Sequence, residues 1–207
     1  MAGHAGGNGK AVDLTPRLPN LLAALLVLTG AVLIAWSAYI PAKAALAQVL
    51  LERAWDRTVT QPSAHKPWPW ADTWPVAKIS APRLNASAIV LHSTSGQAMA
   101  FGPGLMVDAA AIGAPGTSVI AAHRDTHFRF LKDLAIGDLV EVTTPDGTLY
   151  RYTVTATKIV HAEASGLNPA LGGATGSTIA LVTCYPFEAI TQGPLRYVVF
   201  ADLVTDT

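Results

Sequence analysis

One uncharged stretch near the start of the chain constrains its fold more than any other feature. Residues 21–40, LLAALLVLTGAVLIAWSAYI, contain no Asp, Glu, Lys or Arg. As a helix with a rise of about 1.5 Å per residue, this stretch is roughly 30 Å long, the thickness of the hydrocarbon core of a bilayer. Trp36 and Tyr39 lie near its downstream end, where interfacial aromatic residues are common. We therefore predict a transmembrane helix over residues 21–40.

A cleaved signal peptide is the alternative interpretation of this stretch. Ala45-Leu46-Ala47 has the A-x-A form of a cleavage site. The apolar region of a signal peptide, however, is usually only about 7–15 residues long. The greater length of residues 21–40 favours an anchor that is retained.

The segments on either side of the predicted membrane helix are expected to differ from it and from each other. Residues 1–20 are rich in glycine and interrupted by proline, which predicts a disordered tail. Residues 41–57 have apolar side chains at helical spacing, which predicts a helical tether. Residues 58–75 are rich in proline and tryptophan, which predicts an extended linker whose tryptophans dock on the next domain. A proline-rich peptide ligand is the alternative for this linker.

The remainder of the chain, residues 76–207, is predicted to be an all-β domain. Short apolar runs alternate with Gly, Pro, Asn and Asp, and no long helical pattern separates them, which favours an antiparallel barrel or sandwich. Residues 145–148 predict a hairpin turn, and short helices are predicted at 128–134 and at about 165–171. The predicted strands are 76–80, 87–91, 117–122, 138–144, 149–156, 157–160, 178–184 and 196–204.

The composition argues against several kinds of ligand. Lys+Arg and Asp+Glu both number 14, so the net charge gives no reason to expect nucleic acid as a partner. A single cysteine allows no intrachain disulfide, and with scattered histidines it lacks the paired ligands of a zinc site. The glycine-rich segments 102–104 and 172–176 lack the context of a phosphate-binding loop and are interpreted as turns. These features argue against a zinc site, a phosphate-binding loop and a nucleic-acid partner.

The only cysteine, Cys184, is the residue whose chemistry needs explanation. It ends a predicted strand two residues before Pro186, and proline ends regular strand pairing. An isolated cysteine in an apolar strand is often a buried core residue. The other interpretation is a nucleophile, because Arg196 begins the next predicted strand and another strand leads into His123. If these strands are neighbours, a thiol, an imidazole and a guanidinium meet at one end of the sheet, as a thiol acyltransferase requires.

Other polar residues near these positions leave alternatives open. His92, His127 and His161 are rivals for the role of base on composition alone. Asp125 is expected to cap the short helix that begins near His127 rather than to pair with His123.

Three segments in this order, AAHRDTHFRFLKDLAIGD, LVTCYPF and GPLRYVV, are similar to the sortases. The Gly-Asp of the first segment and the Tyr-Pro-Phe of the second resemble the Gram-negative branch (class GN), which neighbours class D. The similarity extends over most of residues 41–204. The resemblance implies an eight-stranded sortase-type β-barrel with short helices, preceded by a single-pass helix in the inner membrane. Its N-terminus would be cytoplasmic and its catalytic domain extracytoplasmic.

The resemblance also implies an activity and the residues that perform it. The expected enzyme is a cysteine transpeptidase that cleaves an LPxTG-like sorting signal on a protein substrate and transfers it to an amine acceptor, without a cofactor. Carried over by position, Cys184 is the nucleophile that forms a thioester, and His123 is the general acid and base. Arg196 holds the substrate backbone and stabilises the oxyanion. Asp125 and Thr183 are candidate supporting residues.

Two departures from the family pattern and two alternative functions stand beside this expectation. Ala180 replaces a threonine that many sortases have before the cysteine, and Ala122 replaces a glycine before the histidine. One alternative function is an envelope cysteine hydrolase, a peptidase or amidase, that uses the same Cys/His pair with water. Pro186 argues against the helix that a papain-like hydrolase has after its cysteine. The other is a membrane-tethered binding domain in which Cys184 is buried.

Overall fold

The computed structural model describes residues 17–61, 63–162, 176–191 and 193–204. Residues 1–16 of the predicted tail, the helix predicted at about 165–171 and all but the last residue of the segment 172–176 lie outside the described residues. Contacts between Cα atoms divide the chain into two compact units, one that ends at Ala45 and one that begins at Leu46.

The first unit contains most of α1 (Arg17–Thr60), a continuous helix that includes Pro41. It begins within the predicted tail and extends into the predicted linker. The described part of the chain has one helix that is long and apolar enough to cross a membrane, with a mean hydropathy of 2.3. Large apolar side chains on this part of α1 are exposed; Leu26, for example, is 73% accessible. Such a surface is unfavourable in water and suited to lipid.

The second unit is a closed β-barrel, which confirms the predicted all-β, eight-stranded fold. Around the barrel the strands follow the order β1-β2-β3-β4-β7-β8-β6-β5. The neighbours β2–β3 and β4–β7 are parallel. The other described pairings are antiparallel. The strands are β1 (Pro75–Ala81), β2 (Ala86–His92), β3 (Gly104–Leu105), β4 (Gly116–Ala121), β5 (Leu139–Thr143), β6 (Leu149–His161), β7 (Ser177–Tyr185) and β8 (Leu195–Leu203).

The strand count agrees with the prediction, but two of the strands differ. The predicted strands 149–156 and 157–160 form the single strand β6, whose pairing with β8 shifts register between Val154 and Ala156. The eighth strand is instead β3, which begins at Gly104, the last residue of a segment interpreted as a turn. A Cβ at Gly104 would lie 2.3 Å from the main-chain oxygen of Ser93, so this close approach of two backbones requires glycine.

Helices in the barrel domain are short. The helix predicted at 128–134 is a 3-10 helix, Arg129–Asp133. A further short helix, α2 (Gly96–Met99), was not predicted, because four residues are too few to show helical periodicity.

Side chains of β7 alternate between two hydrophobic clusters. Ile179 and Leu181 belong to a large cluster with residues from seven other strands or their connections, which is the interior of the barrel. Ala180 and Val182 belong to a smaller cluster built from β4, β7 and β8, so it lies on the outer face of those strands. Successive side chains of a strand point to opposite faces, which explains the two clusters.

The last turns of α1 belong to the second unit and pack on its surface. Leu51 and Trp55 are buried with Leu91 of β2 and Ala98 of α2. The amide of Gln48 donates to the main-chain oxygen of Phe101 at 2.9 Å.

Two of the three linker tryptophans dock on the domain, as the linker interpretation expects. Trp68 meets Phe101 edge to face, with ring centroids 4.8 Å apart. Trp74 stacks on His92, with centroids 4.1 Å apart. Trp70 differs, because it is 83% exposed.

Asp138 joins the segment after β1 to the segment after the 3-10 helix. Arg83 donates from Nε and Nη2 to its two carboxylate oxygens, each at 2.6 Å, and Ala135 donates its main-chain N–H at 2.7 Å. These bonds, chiefly the one from Arg83, lower the pKa of Asp138. A carboxyl with a lowered pKa stabilises the fold above its unfolded pKa, and the stabilisation is lost as the pH falls through the folded pKa.

We expect Asp138→Asn to lower the free energy of unfolding by about 1 kcal/mol at pH 7, because an ion pair open to solvent contributes little more. The difference from the wild type should shrink progressively below about pH 4, where the carboxyl of the unfolded chain is protonated. Thermal unfolding of the full chain in detergent at several pH values would measure both effects. Asp108→Asn, at an exposed carboxyl, is the matched control. An equal loss of stability at pH 3 and pH 7 would contradict the assignment.

Candidate active site

Three adjacent strands bring the predicted site residues to one end of the barrel. β4 and β7 are parallel, so their C-terminal ends lie at the same end. β8 is antiparallel to β7, so β8 begins there. His123 follows β4, Cys184 is the next-to-last residue of β7, and Arg196 is the second residue of β8. The strand order therefore places all three at one end of the sheet.

The register of these strands places Cys184 opposite Arg196, with His123 just beyond the β4–β7 ladder. Cys184 is the direct partner of Arg196 in the β7–β8 ladder. Directly opposed residues of an antiparallel pair share a face and have Cβ atoms about 4.5–5.5 Å apart. The β4–β7 ladder ends with Ala121 paired to Val182, and His123 and Cys184 each follow two residues later.

Strand alternation also gives the face on which the site lies. Val182 and Val198 belong to the cluster on the outer face of the barrel. Cys184 lies two residues after Val182, and Arg196 lies two residues before Val198. The side chains of Cys184 and Arg196 therefore point to the outer face as well. His123 follows Ala121, the last residue of β4, by two residues. The site therefore lies at the edge of the barrel's outer surface, next to the apolar cluster that contains Val182 and Val198.

The exposure of the three residues suits reaction with an external substrate. Cys184 is a free thiol of intermediate exposure, not the fully buried core residue of the alternative interpretation. His123 is exposed. Arg196 is partly buried, and its Nη1 donates to the main-chain oxygens of Gly193 and Leu195 at 2.8 and 2.9 Å. Within the described part of the chain, Nε and Nη2 of Arg196 have no hydrogen-bond acceptor, so they are free to bind a substrate oxygen.

Thr183 connects the two strands that carry the thiol and the imidazole. It is 2% exposed, and its hydroxyl donates to the main-chain oxygen of Ala122 at 2.7 Å. The residues before Cys184 and before His123 are therefore hydrogen-bonded to each other.

We expect Thr183→Val, a change of similar volume, to lower the free energy of unfolding by about 1 kcal/mol, because one buried hydrogen bond is lost. Thermal unfolding of the full chain would measure this difference. Thr155→Val is the matched control, since the Thr155 hydroxyl is exposed and 3.4 Å from its acceptor. Unchanged stability in Thr183→Val would show that the bond does not hold the two strands together.

The structure separates the rival histidines. His92 is stacked on Trp74 at the end of β2. His161 pairs with Leu195, the neighbour of Arg196 in β8, so the side chains of His161 and Arg196 point to opposite faces of the sheet.

His127 is the rival histidine that lies close to His123. Burial is the main cause that lowers the pKa of His127, and the positive charge of His123 lowers it further.

Asp125 does not cap the 3-10 helix, so that prediction was wrong. The helix begins at Arg129, its N-cap position is Phe128, and no side chain caps it. The physical reason is a turn between the strand and the helix, closed by a bond from the main-chain N–H of Phe128 to the oxygen of His123 at 3.1 Å. This turn delays the start of the helix beyond the reach of Asp125.

An aromatic cluster supports the mouth of the barrel next to the thiol. Phe187 meets Tyr185 and Tyr197 edge to face, with centroids 6.3 and 5.3 Å apart. The two tyrosines are stacked at 6.2 Å. Thr183 pairs with Tyr197, so the cluster lies on the face opposite to Cys184 and does not cover the sulfur.

Arg124 is a residue near the site that no sequence pattern singled out. It follows His123, is only 9% exposed, and donates from Nη2 to the main-chain oxygens of Ala189 and Thr191, the latter at 2.9 Å. These acceptors are main-chain atoms distant in the sequence, so no local pattern indicates them. No group of three or more His, Cys, Asp or Glu side chains within the described ranges could hold a metal ion.

Comparisons with known proteins place the barrel domain among described families. Residues 79–204 match a family model described as a sortase domain. Sortase D of Bacillus subtilis (strain 168) is 28% identical over 127 residues, which cover 61% of this chain and 63% of that relative. The chain thus matches less than two thirds of the length of this relative.

Solved structures show the same barrel. Sortase A from Corynebacterium diphtheriae has a TM-score of 0.59 and 27% identity, over 67% of this chain and 64% of that chain. A Clostridium perfringens sortase D5 transpeptidase has a TM-score of 0.60 over 78% of this chain and 99% of that one. At 18% identity, the latter likeness concerns the fold alone.

Proposed function

This chain belongs to the sortase family, and from that membership we propose that it is a cysteine transpeptidase anchored in a membrane. Its substrate would be a protein with an LPxTG-like sorting signal, and its second substrate an amine. The observation that carries the proposal is the direct pairing of Cys184 with Arg196, at the end of β7 that lies beside the end of β4 from which His123 follows. This arrangement combines a nucleophile, an oxyanion donor and a proton-transfer group, as acyl transfer requires.

In the first half of the proposed reaction, Sγ of Cys184 attacks the carbonyl carbon of the Thr–Gly peptide bond. Negative charge develops on the carbonyl oxygen, and the unpaired nitrogens of the Arg196 guanidinium stabilise it by charge-assisted hydrogen bonds. The C–N bond breaks as His123 protonates the leaving amine. The product is a thioester between Cys184 and the threonine of the signal.

In the second half, the amine acceptor attacks the thioester carbonyl. A C–N bond forms, the C–S bond breaks, and the electron pair returns to the sulfur. His123 takes the proton that the amine loses. The transpeptidase is thereby regenerated with the same residues reversing their roles.

The location proposed for the enzyme rests on α1. Its exposed apolar residues suit a bilayer core, and the length of the uncharged stretch suits a single crossing. We place the N-terminus in the cytoplasm and the catalytic domain outside, at the inner membrane, because a sorting enzyme must meet exported substrates.

The decisive experiment combines the full chain in detergent micelles with an LPxTG peptide and triglycine, followed by mass spectrometry. We expect a Cys184 thioester and a product in which the threonine is joined to triglycine. Cleavage by water alone, at a rate independent of triglycine, would indicate the hydrolase instead. Absence of both thioester and cleavage across a panel of related peptides would refute the proposal.

A further inference from the structure

Arg124 connects two segments of the site that are distant in sequence. Its main chain continues directly from His123, and its guanidinium donates to the main-chain oxygens of Ala189 and Thr191. Those acceptors lie in the connection between β7 and β8, which we define as residues 186–194. This connection joins the strand of the thiol to the strand of Arg196.

The burial of Arg124 is not explained by ion pairing. The side chain is 9% exposed, and its Nη1 is buried without a hydrogen-bond partner in the described residues. The two ion pairs found among those residues are Arg83–Asp138 and Arg151–Glu141, and neither involves Arg124. Removing an uncompensated charge from water is unfavourable, so a purely structural position would ordinarily have an apolar residue.

Burial shows how the segment after β4 is held. Ala122 is part of the cluster inside the barrel, and its main-chain N–H donates to the oxygen of Val182 at 3.1 Å. Arg124, two residues further on, is also buried, whereas His123 between them is exposed. The guanidinium of Arg124 therefore holds the 186–194 connection while the imidazole of His123 stays accessible.

A second guanidinium holds the same connection. Nη1 of Arg196 donates to the main-chain oxygen of Gly193, close to the end of the connection. Ala189 and Thr191 are fixed by Arg124, and Gly193 by Arg196. A shift of the connection would therefore also displace the guanidinium that is to bind the substrate carbonyl.

We propose that Arg124 is a positioning residue of the transpeptidase reaction. Its hydrogen bonds connect the segment of His123 to the 186–194 connection, and this keeps Arg196 in position to bind the sorting-signal peptide. This role rests on the proposed function. Without the hydrogen bonds from Arg124, the thiol and the imidazole stay in place, but the 186–194 connection beside them becomes more mobile. We expect weaker binding of the peptide, but an unchanged rate of reaction of Cys184 with a small reagent.

The kinetic test compares Arg124→Met, of similar length but without donors, with Arg124→Lys, which keeps the charge and reaches one of the two carbonyls. We expect Arg124→Met to raise the KM for an LPxTG peptide about tenfold, the effect of losing two modest hydrogen bonds. The rate of alkylation of Cys184 by iodoacetamide should stay unchanged. Arg124→Lys should recover part of the loss. Arg151→Met, at an arginine with a 55% exposed side chain, is the matched control.

Hydrogen exchange measured by mass spectrometry supplies a readout that needs no substrate. Residues 186–194 should exchange faster in full-chain Arg124→Met than in the wild type, whereas β6 should be unchanged. If wild type fails to cleave any peptide, the proposed function fails, and exchange still decides whether Arg124 restrains the connection.

Three results would overturn the positioning role. These are unchanged exchange of the connection, an unchanged KM, or a parallel fall of peptide cleavage, alkylation and thermal stability. The last would mark Arg124 as a general stabiliser of the fold. If Arg124→Met does not fold, Arg124→Lys is judged by the same criteria.

Discussion

Cys184→Ala is expected to abolish thioester formation and to lower kcat/KM by at least about 10⁴-fold, the scale of loss when a covalent nucleophile is removed. No other thiol exists in the chain to replace it. The full-chain variant would be incubated with an LPxTG peptide and triglycine, and both the protein and the peptide products followed by mass spectrometry.

The same variant should fold as the wild type does. Cys184 is only partly buried at the end of β7, so its sulfur contributes little to the core. Thermal unfolding is therefore the control for intact structure. Activity equal to wild type in a folded Cys184→Ala protein would remove the thiol from the mechanism.

His123→Gln is expected to lower kcat by about 10²–10⁴-fold, the contribution typical of general acid–base catalysis. Glutamine keeps a polar side chain of similar size but transfers no proton. Both half-reactions should slow, because in the proposed mechanism His123 protonates the first amine and deprotonates the second. Rapid-mixing measurements of thioester formation and of its decay in triglycine would separate them.

His127→Gln is the informative comparison, because His127 is the rival histidine that lies close to His123. We expect a loss of less than about tenfold for this variant, since His127 lies four residues beyond His123, further along the chain from the end of β4. A larger loss in His127→Gln than in His123→Gln would reassign the acid and base.

Much of the barrel could be predicted from alternation, and its exceptions have physical reasons. β3 has two residues, so alternation cannot reveal it, and Gly104 serves a close backbone approach rather than a turn. The shift between Val154 and Ala156 interrupts the pattern of β6 and made one strand look like two. α1 continues through Pro41, which has no main-chain N–H to donate to the helix.

The site was predictable to different degrees. Cys184 and Arg196 end and begin consecutive strands, so an antiparallel pair was a natural expectation. The place of His123 depends on the parallel pairing of β4 with β7, which local patterns do not specify. Arg124 could not be recognised, because its acceptors are main-chain oxygens 65 and 67 residues away, and such atoms leave no mark on the sequence.

The parallel neighbours β4 and β7 have a consequence for when the protein becomes chemically competent. Thr183 and Ala122, which link these strands, are 61 residues apart in the chain. Contacts of such separation form late, since the entropy of closing a long loop opposes them. The thiol meets its imidazole only once this closure is complete, so a partly folded chain carries an ordinary cysteine. A reactivity of Cys184 that depends on His123 would thus report the finished barrel.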